Sequence, residues 1–133
     1  MVNMVRLVTD IRERKANNQG TLTYTPIQYL YRSVEPACLH ALYAEADLCV
    51  VSSIHDGLNL VSYEYVACQT RRSGVLLLSQ YAGAAKLLPS AVSFNPWDTP
   101  RFADAIHMAL NMPLEERQKR LSEASETVET RTM

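Results

Sequence analysis

The stretch Ser52-Ser53-Ile54-His55-Asp56-Gly57-Leu58-Asn59-Leu60-Val61-Ser62-Tyr63-Glu64-Tyr65 holds the residues best placed to do chemistry. Asn59 is a good N-cap, and the first amides of a helix starting near Leu60 have no partner inside that helix. These donors and the positive end of the helix dipole favour an anion. Gly57 has no Cβ, so ligand oxygens can come close to the backbone. Asp56 is different in kind. A diphosphate repels a carboxylate, so the natural partners of Asp56 are neutral hydroxyls or backbone amides, and a hexose carried on the diphosphate would offer hydroxyls. Glu64, five residues past Asn59, has two carboxylate oxygens that suit a vicinal diol such as that of a ribose. Together these parts suit a nucleotide-diphospho-sugar. The residues alone leave a second reading open, because a D-G-x-N turn is common and Asp56 and Asn59 can do no more than cap a turn and a helix.

Other reactive side chains carry weaker signals. His55 adjoins Asp56, but neighbours in sequence rarely point at each other and no Ser or Cys nucleophile stands nearby in a recognisable motif. It reads as a loop histidine. His40 and His107 fall within helical segments as ordinary helix residues. Tyr24, Tyr29, Tyr31, Tyr43, Tyr63 and Tyr65 lie within strands and helices, where most are expected to pack. Gly83-Ala84-Ala85 is a second small-residue turn, which either borders the same crevice or allows close helix packing. Cys38, Cys49 and Cys68 have no paired spacing, which argues against a disulfide framework or a zinc site and for buried small hydrophobes in a reducing compartment.

Several elements must position these groups. Residues 3–16 place Val5, Leu7, Val8 and Ile11 at helical spacing, and Gly20 can end that helix. Residues 21–31 read as an extended strand interrupted by Pro26. Residues 35–46 form a short helix with Pro36 in its first turn. The run Leu48-Cys49-Val50-Val51 within residues 47–53 fits a strand covered on both faces, as in a parallel sheet. A helix over 60–71 follows, then a buried strand over 74–79. A short helix over 83–88 ends at Pro89, and a third strand covers 91–94. Asp98 or Thr99 caps a helix through Leu110, and Pro113 opens the last one, with Glu115 and Glu116 in its first turn and Lys119 and Arg120 further on.

Helix and strand thus alternate with no internal repeat and no linker. The fold class is α/β, a Rossmann-like, mostly parallel sheet covered by helices. Such sheets bind ligands at the carboxyl ends of their strands, where the Asp56 turn lies. The length of 133 residues allows one domain with a core but not a two-lobed enzyme, and 47% apolar with 20% charged residues describes an ordinary soluble domain. A net charge of -1, with no basic cluster beyond Arg71-Arg72, disfavours nucleic acid and anionic membranes as partners. No signal peptide or membrane-length apolar run is visible, so the expected location is cytoplasmic.

Several blocks together resemble the trehalose-6-phosphate synthase family. They are Tyr24-Thr25-Pro26-Ile27, Tyr29-Leu30-Tyr31-Arg32-Ser33-Val34, Ala41-Leu42-Tyr43-Ala44-Glu45-Ala46-Asp47, Asp56 through Tyr65, Gly74 through Ser79, Tyr81-Ala82-Gly83-Ala84-Ala85 and Asn95-Pro96-Trp97. The likeness runs from about residue 7 to about residue 120, and the tail 126–133 diverges. It implies a retaining glycosyltransferase of the GT-B type, needing neither metal nor other cofactor, that moves glucose from UDP-glucose to glucose 6-phosphate. Residues 1–133 then form a single, partial, C-terminal donor-binding lobe. By motif, Asp56, Gly57, Leu58 and Asn59 would receive the glucose. Leu60 and Val61 would receive the diphosphate, Glu64 would hold the ribose diol, and Ser33 and Val34 would lie near the uridine.

The departures are His55 where the family usually has Arg and Leu58 where it usually has Met. The family's diphosphate-clamping Arg and Lys belong to sequence before Met1, and its acceptor lobe and final crossing helix are not visible. Glucose 6-phosphate is therefore expected as a partner only with that N-terminal lobe. Isolated, the chain is expected to bind donor and turn over little. Two alternatives stand beside this reading. One is a non-catalytic nucleotide-sugar-binding or regulatory module that joins other trehalose synthase subunits; the other is a truncated piece with no function.

Overall fold

A computed structural model describes residues 4–7, 27–30 and 32–132. The chain falls into two compact units, residues 1–35 and 36–133. In the first, β1 (Met4–Leu7) pairs antiparallel with β2 (Ile27–Leu30), with Met4 opposite Leu30 and Leu7 opposite Ile27. The helix expected over residues 3–16 is therefore not formed at its start. Val5 and Leu7 fit a helical period, but the alternation Val5-Arg6-Leu7 fits a strand equally, and a partner strand settles such short apolar runs. The expected strand over residues 21–31 is present as β2, while residues 8–26 and 31 lie outside the described residues.

The second unit begins with α1 (Pro36–Glu45), β3 (Leu48–Val51) and α2 (Leu60–Cys68). It continues with β4 (Val75–Ser79), a single 3₁₀ turn (Gly83–Lys86) and β5 (Val92–Phe94). It closes with α3 (Thr99–Leu110) and α4 (Leu114–Thr132). The sheet order is β3-β4-β5 and both pairings are parallel, with Leu48 opposite Val75 and Leu77 opposite Val92.

The central strand shows why an unbroken apolar run belongs here. All five residues of β4 are buried, Leu77 and Leu78 completely, because helices cover both faces of a parallel sheet. On one face Val75, Leu77, Val92 and Phe94 pack with Ala109 and Met112, and Phe94 stacks on Phe102 of α3 at 4.3 Å. On the other face Tyr65 and Val66 of α2 meet the sheet, with α1 and α4 packed alongside α2. The expectation of cover on both faces does not extend to β3. Val50 is 37% exposed, since β3 lies at the edge of the three-stranded sheet.

Local chemistry sets the helix ends. Asp98 caps α3, its carboxylate accepting from Arg101 N at 3.2 Å, and Pro100 occupies the first turn. Pro113 directly precedes α4, whose first turn carries Glu115 and Glu116. α2 stops at Cys68, short of the expected residue 71, because Gln69 leaves helical dihedrals and turns its side chain inward. Gln69 Nε2 donates to the Tyr43 carbonyl at 2.5 Å and the Ala46 carbonyl at 3.1 Å, while its Oε1 accepts from Gly74 N at 2.7 Å. One buried amide thus ties the ends of α1 and α2 to the start of β4.

The cysteines correct one expectation. All three are free thiols, but Cys38 on α1 is exposed rather than buried. Cys49 is the thiol that behaves as interior, with burial pushing its pKa from 9.0 up to about 12. Among the described residues no helix is long and apolar enough to cross a membrane.

Candidate functional site

Beyond the carboxyl ends of β3 and β4, two turns meet. The first runs from Ser52 to Asn59 into α2, and the second from Gln80 to Ala82 into the 3₁₀ turn. A parallel bridge links Asp56 to Ala82, and Gly83 N donates to the Asp56 carbonyl at 3.2 Å. A Cβ on Gly83 would lie 2.1 Å from the Gly57 carbonyl oxygen and 2.8 Å from its carbon. Backbone against backbone leaves no flexible atom to yield, so glycine is required there. The Gly83-Ala84-Ala85 turn abuts the Asp56 turn directly, backbone against backbone. Ser79, fully buried at the end of β4, steadies the second turn by accepting from Tyr81 N at 3.2 Å.

Asn59 caps α2 as the sequence implies. Its Oδ1 accepts from Ser62 N at 3.2 Å and from Ser62 Oγ at 3.3 Å. Its Nδ2 donates to Asp56 Oδ2 at 2.6 Å. The chain Asp56–Asn59–Ser62 therefore ends in a completely buried hydroxyl and fixes one oxygen of the Asp56 carboxylate, leaving Oδ1 to accept from something else. The cap takes up the Ser62 amide; those of Leu60 and Val61 stay without an intrahelical partner.

Gly57 contrasts with Gly83. Its φ is not in the left-handed region, and a Cβ there would meet no atom within 4 Å. The fold does not demand glycine at 57. Around it lie exposed apolar side chains: Ile54 at 54%, Leu58 at 58%, Leu60 at 61% and Tyr81 at 43%. The sequence points to Leu58 and Leu60 as ligand contacts and gives Ile54 and Tyr81 no role. The signal for the latter two was an apolar residue inside a polar loop just past a strand end.

Glu64 lies on α2 about 6 Å along the axis from Leu60. It is exposed, and its charge reaches the Tyr43 hydroxyl and the Cys68 thiol, which places it on the side of α2 that meets α1. Tyr43 is buried, and burial, with smaller contributions from Cys49 and then Glu64, pushes its pKa up to about 12. Its ring meets Tyr65 edge-on at 6.2 Å. The Tyr65 hydroxyl donates to the Ala46 carbonyl at 3.2 Å, and burial raises its pKa as well.

Of the residues singled out from sequence, Asp56, Gly57, Leu58, Asn59, Leu60 and Val61 form one continuous turn and Glu64 follows on the same helix. Ser33 and Val34 belong to the first unit, past β2; Ser33 is exposed and Val34 half-buried. His55 is an exposed loop residue, and His40 and His107 are exposed on α1 and α3. The site has two carboxylates, and its cations are few: between Ser52 and Lys86 only Arg71 and Arg72, which lie past the far end of α2, and the exposed Lys86, which ends the 3₁₀ turn. Arg72 is engaged there with Glu45 and Asp47. Among the described residues no group of three or more His, Cys, Asp or Glu gathers in a way that could hold a metal.

Known proteins are similar to this chain in sequence and fold. The family described as glycosyltransferase family 20 matches residues 3–133. A Dictyostelium discoideum protein named alpha,alpha-trehalose-phosphate synthase (UDP-forming) A is 50% identical over 101 residues, which is 76% of this chain and 14% of that protein. The crystal structure of an alpha,alpha-trehalose-phosphate synthase (UDP-forming) from Burkholderia vietnamiensis matches with a TM-score of 0.79 at 44% identity, over 83% of this chain and 24% of that one. The N-terminal domain of a Candida albicans trehalose-6-phosphate phosphatase matches with a TM-score of 0.80 at 34% identity, over 92% of this chain and 26% of that one. The chain thus spans about a quarter or less of the length of each of these relatives.

Proposed function

The chain belongs to glycosyltransferase family 20, and from that premise we propose that it is part of the donor-binding lobe of a UDP-forming α,α-trehalose-phosphate synthase. In this reading the whole enzyme transfers glucose from UDP-glucose to glucose 6-phosphate in the cytoplasm, without metal or other cofactor. The carrying observation is the Asp56–Asn59–Ser62 chain, which holds one carboxylate oxygen and leaves the other beside an unobstructed glycine. Asp56 Oδ1 accepts a glucose hydroxyl. The amides from Gly57 to Val61 receive the glucose and the diphosphate at the positive end of α2. Glu64 takes the ribose diol, and Ser33 and Val34 serve the uridine.

Transfer needs the acceptor held against the donor's anomeric carbon, and the groups for that belong to the remaining length of such an enzyme. The isolated chain therefore binds UDP and UDP-glucose weakly and turns over little. Calorimetric titration tests this. Glu64→Ala should weaken UDP and UDP-glucose alike, whereas Asp56→Ala should weaken only UDP-glucose, by roughly tenfold for one lost charge-assisted hydrogen bond. Equal affinity for all three proteins would remove both carboxylates from their roles, and robust trehalose 6-phosphate formation by the isolated chain would sink the assignment as a partial site.

A second reading has its own support. The same fold occurs as the N-terminal domain of a protein named a phosphatase, and His55 stands where synthases usually carry Arg. In that case the chain is a binding or regulatory module that joins other trehalose synthase subunits. Retained UDP-glucose affinity, together with failure of this stretch to restore transfer when exchanged into an active synthase, would favour it.

A further inference from the structure

Asp56 is held in place from two directions. Its backbone is fixed by the second turn, where Gly83 N donates to the Asp56 carbonyl at 3.2 Å and a parallel bridge runs to Ala82. Its carboxylate is fixed from inside the fold. Asn59 Nδ2 donates to Asp56 Oδ2 at 2.6 Å. Asn59 is oriented in turn by Ser62, whose amide and hydroxyl both donate to Asn59 Oδ1, at 3.2 and 3.3 Å. A carbonyl oxygen has two lone pairs, and here both are taken. Flipping the amide would set oxygen against oxygen at Asp56 and an amide nitrogen against two donors at Ser62. The orientation is therefore fixed, oxygen towards the helix and nitrogen towards Asp56. Ser62 is completely buried, so its hydroxyl reaches neither solvent nor ligand.

The terminal torsion of an aspartate is broad, so a carboxylate without a partner samples many orientations. Held at Oδ2 by a short, charge-assisted bond, that of Asp56 keeps one orientation before any ligand arrives, which lowers the cost of binding. The motif gives Asn59 to the glucose, yet its side-chain oxygen has no capacity left for a hydroxyl, and its nitrogen serves Asp56. Ser62 stands outside the D-G-x-N motif altogether. We propose that Ser62 is a positioning residue for the donor hexose: by setting the Asn59 amide, its buried hydroxyl sets the Asp56 carboxylate and so favours UDP-glucose over UDP without touching either. Asn59 acts through Asp56 in the same way. The proposal rests on the donor-lobe reading, in which Asp56 Oδ1 accepts a glucose hydroxyl.

The test is an NMR titration of the isotope-labelled chain with UDP-glucose and with UDP. Ser62→Ala removes the hydroxyl but leaves the amide to hold the cap. It should weaken UDP-glucose about threefold, the worth of one neutral hydrogen bond, and leave UDP unchanged. Ser62→Cys, close in size with a far weaker donor, should change the ratio of the two affinities in the same direction, and decides the matter should Ser62→Ala not fold. Asn59→Ser keeps a good N-cap and the net charge but is too short to reach Asp56, and should weaken UDP-glucose roughly tenfold while sparing UDP. A merely structural role would weaken both ligands in step. Added to Asp56→Ala, Ser62→Ala should have no further effect, because it acts through the carboxylate. Without ligand, the Asn59 side-chain amide protons should shift in Ser62→Ala and in Asp56→Ala alike. If Asp56→Ala weakens UDP-glucose while both Ser62 variants keep the parent's ratio, the proposal is overturned and the donor reading stands. Equal loss of both ligands, or full additivity of Ser62→Ala with Asp56→Ala, overturns it too. If Asp56→Ala binds UDP-glucose as the parent does, the donor reading falls and takes the proposal with it.

Discussion

The two ends of α2 meet the rest of the chain in opposite ways. At its C-terminal end Gln69 satisfies two carbonyls and one amide, Tyr65 reaches the Ala46 carbonyl, and Gly74 sits where a Cβ would lie 2.1 Å from the Tyr65 hydroxyl and 2.6 Å from the Ala46 carbonyl. At its N-terminal end the cap is equally well formed, yet one Asp56 oxygen is left over, apolar side chains face outward, and Gly57 has open space where its Cβ would be. Both ends use glycine and a side-chain amide. One end spends its polar groups on the protein itself, and the other keeps them available. That contrast, more than either motif alone, supports the proposal of ligand binding at the Asp56 end.

The largest effect expected from breaking the contrast is at the closed end. Gly74→Ala forces a Cβ onto a backbone carbonyl and a buried phenol, and should cost about 3 kcal/mol or more in urea denaturation. Gln69→Ala comes next. It strands the Gly74 amide in the interior, for about 2 kcal/mol, whereas the Tyr43 carbonyl keeps a bond from Ala46 N at 3.4 Å and the Ala46 carbonyl keeps its bond from Tyr65. If either variant melts like the parent, the closed end is not closed.

Alkaline pH probes the same region more gently. Cys49 and Tyr43 have pKa values raised to about 12 in the folded chain, Cys49 from 9.0 and Tyr43 from 10.0. Both are neutral when protonated, so the folded state holds its protons where the unfolded chain has begun to lose them. Their stabilising contribution is complete below pH 9 and is lost between pH 9 and 12. Cys49 alone should lower stability by about 1 kcal/mol at pH 10, and Cys49→Ala should flatten the decline. A urea midpoint that holds level through pH 10 would contradict this.

How much of this was visible in the sequence depends on the range of each interaction. The α/β class, as part of a GT-B type lobe, is borne out, because β4 announces itself through Val75-Leu76-Leu77-Leu78, and the caps at Asn59 and Asp98 and the proline at 113 are local signals. What failed is non-local. The spacing of Val5, Leu7, Val8 and Ile11 predicts a helix where β1 forms, because the partner strand, β2, lies well downstream. Gln69 looked like the polar end of a helix, and nothing near it in sequence predicts that it turns inward to Tyr43 and Ala46. The site divides the same way. The Asn59 cap and the glycine turn could be read directly, whereas the bridge from Asp56 to Ala82 and the glycine forced at Gly83 exist only once β3 and β4 are paired.

At the open end the expected costs are smaller, and the smallest carries the most information. Asn59→Ala removes a cap and should cost about 1 kcal/mol, while releasing the Asp56 carboxylate that the amide holds. Gly57→Ala should change stability by no more than about 0.5 kcal/mol, since the new methyl meets no protein atom and φ is not in the left-handed region. Its effect on ligand should be far larger. If the diphosphate and sugar come against the Gly57 backbone, a methyl there occupies the space they need, and UDP-glucose affinity should fall by at least tenfold in a chain as stable as the parent. Gly74→Ala would show the reverse order, a collapse of stability with no specific loss of ligand contacts. Should Gly57→Ala bind UDP-glucose as the parent does, the free space over residue 57 is not where the donor lies, and Asp56 and Asn59 return to the plainer role of capping a turn and a helix.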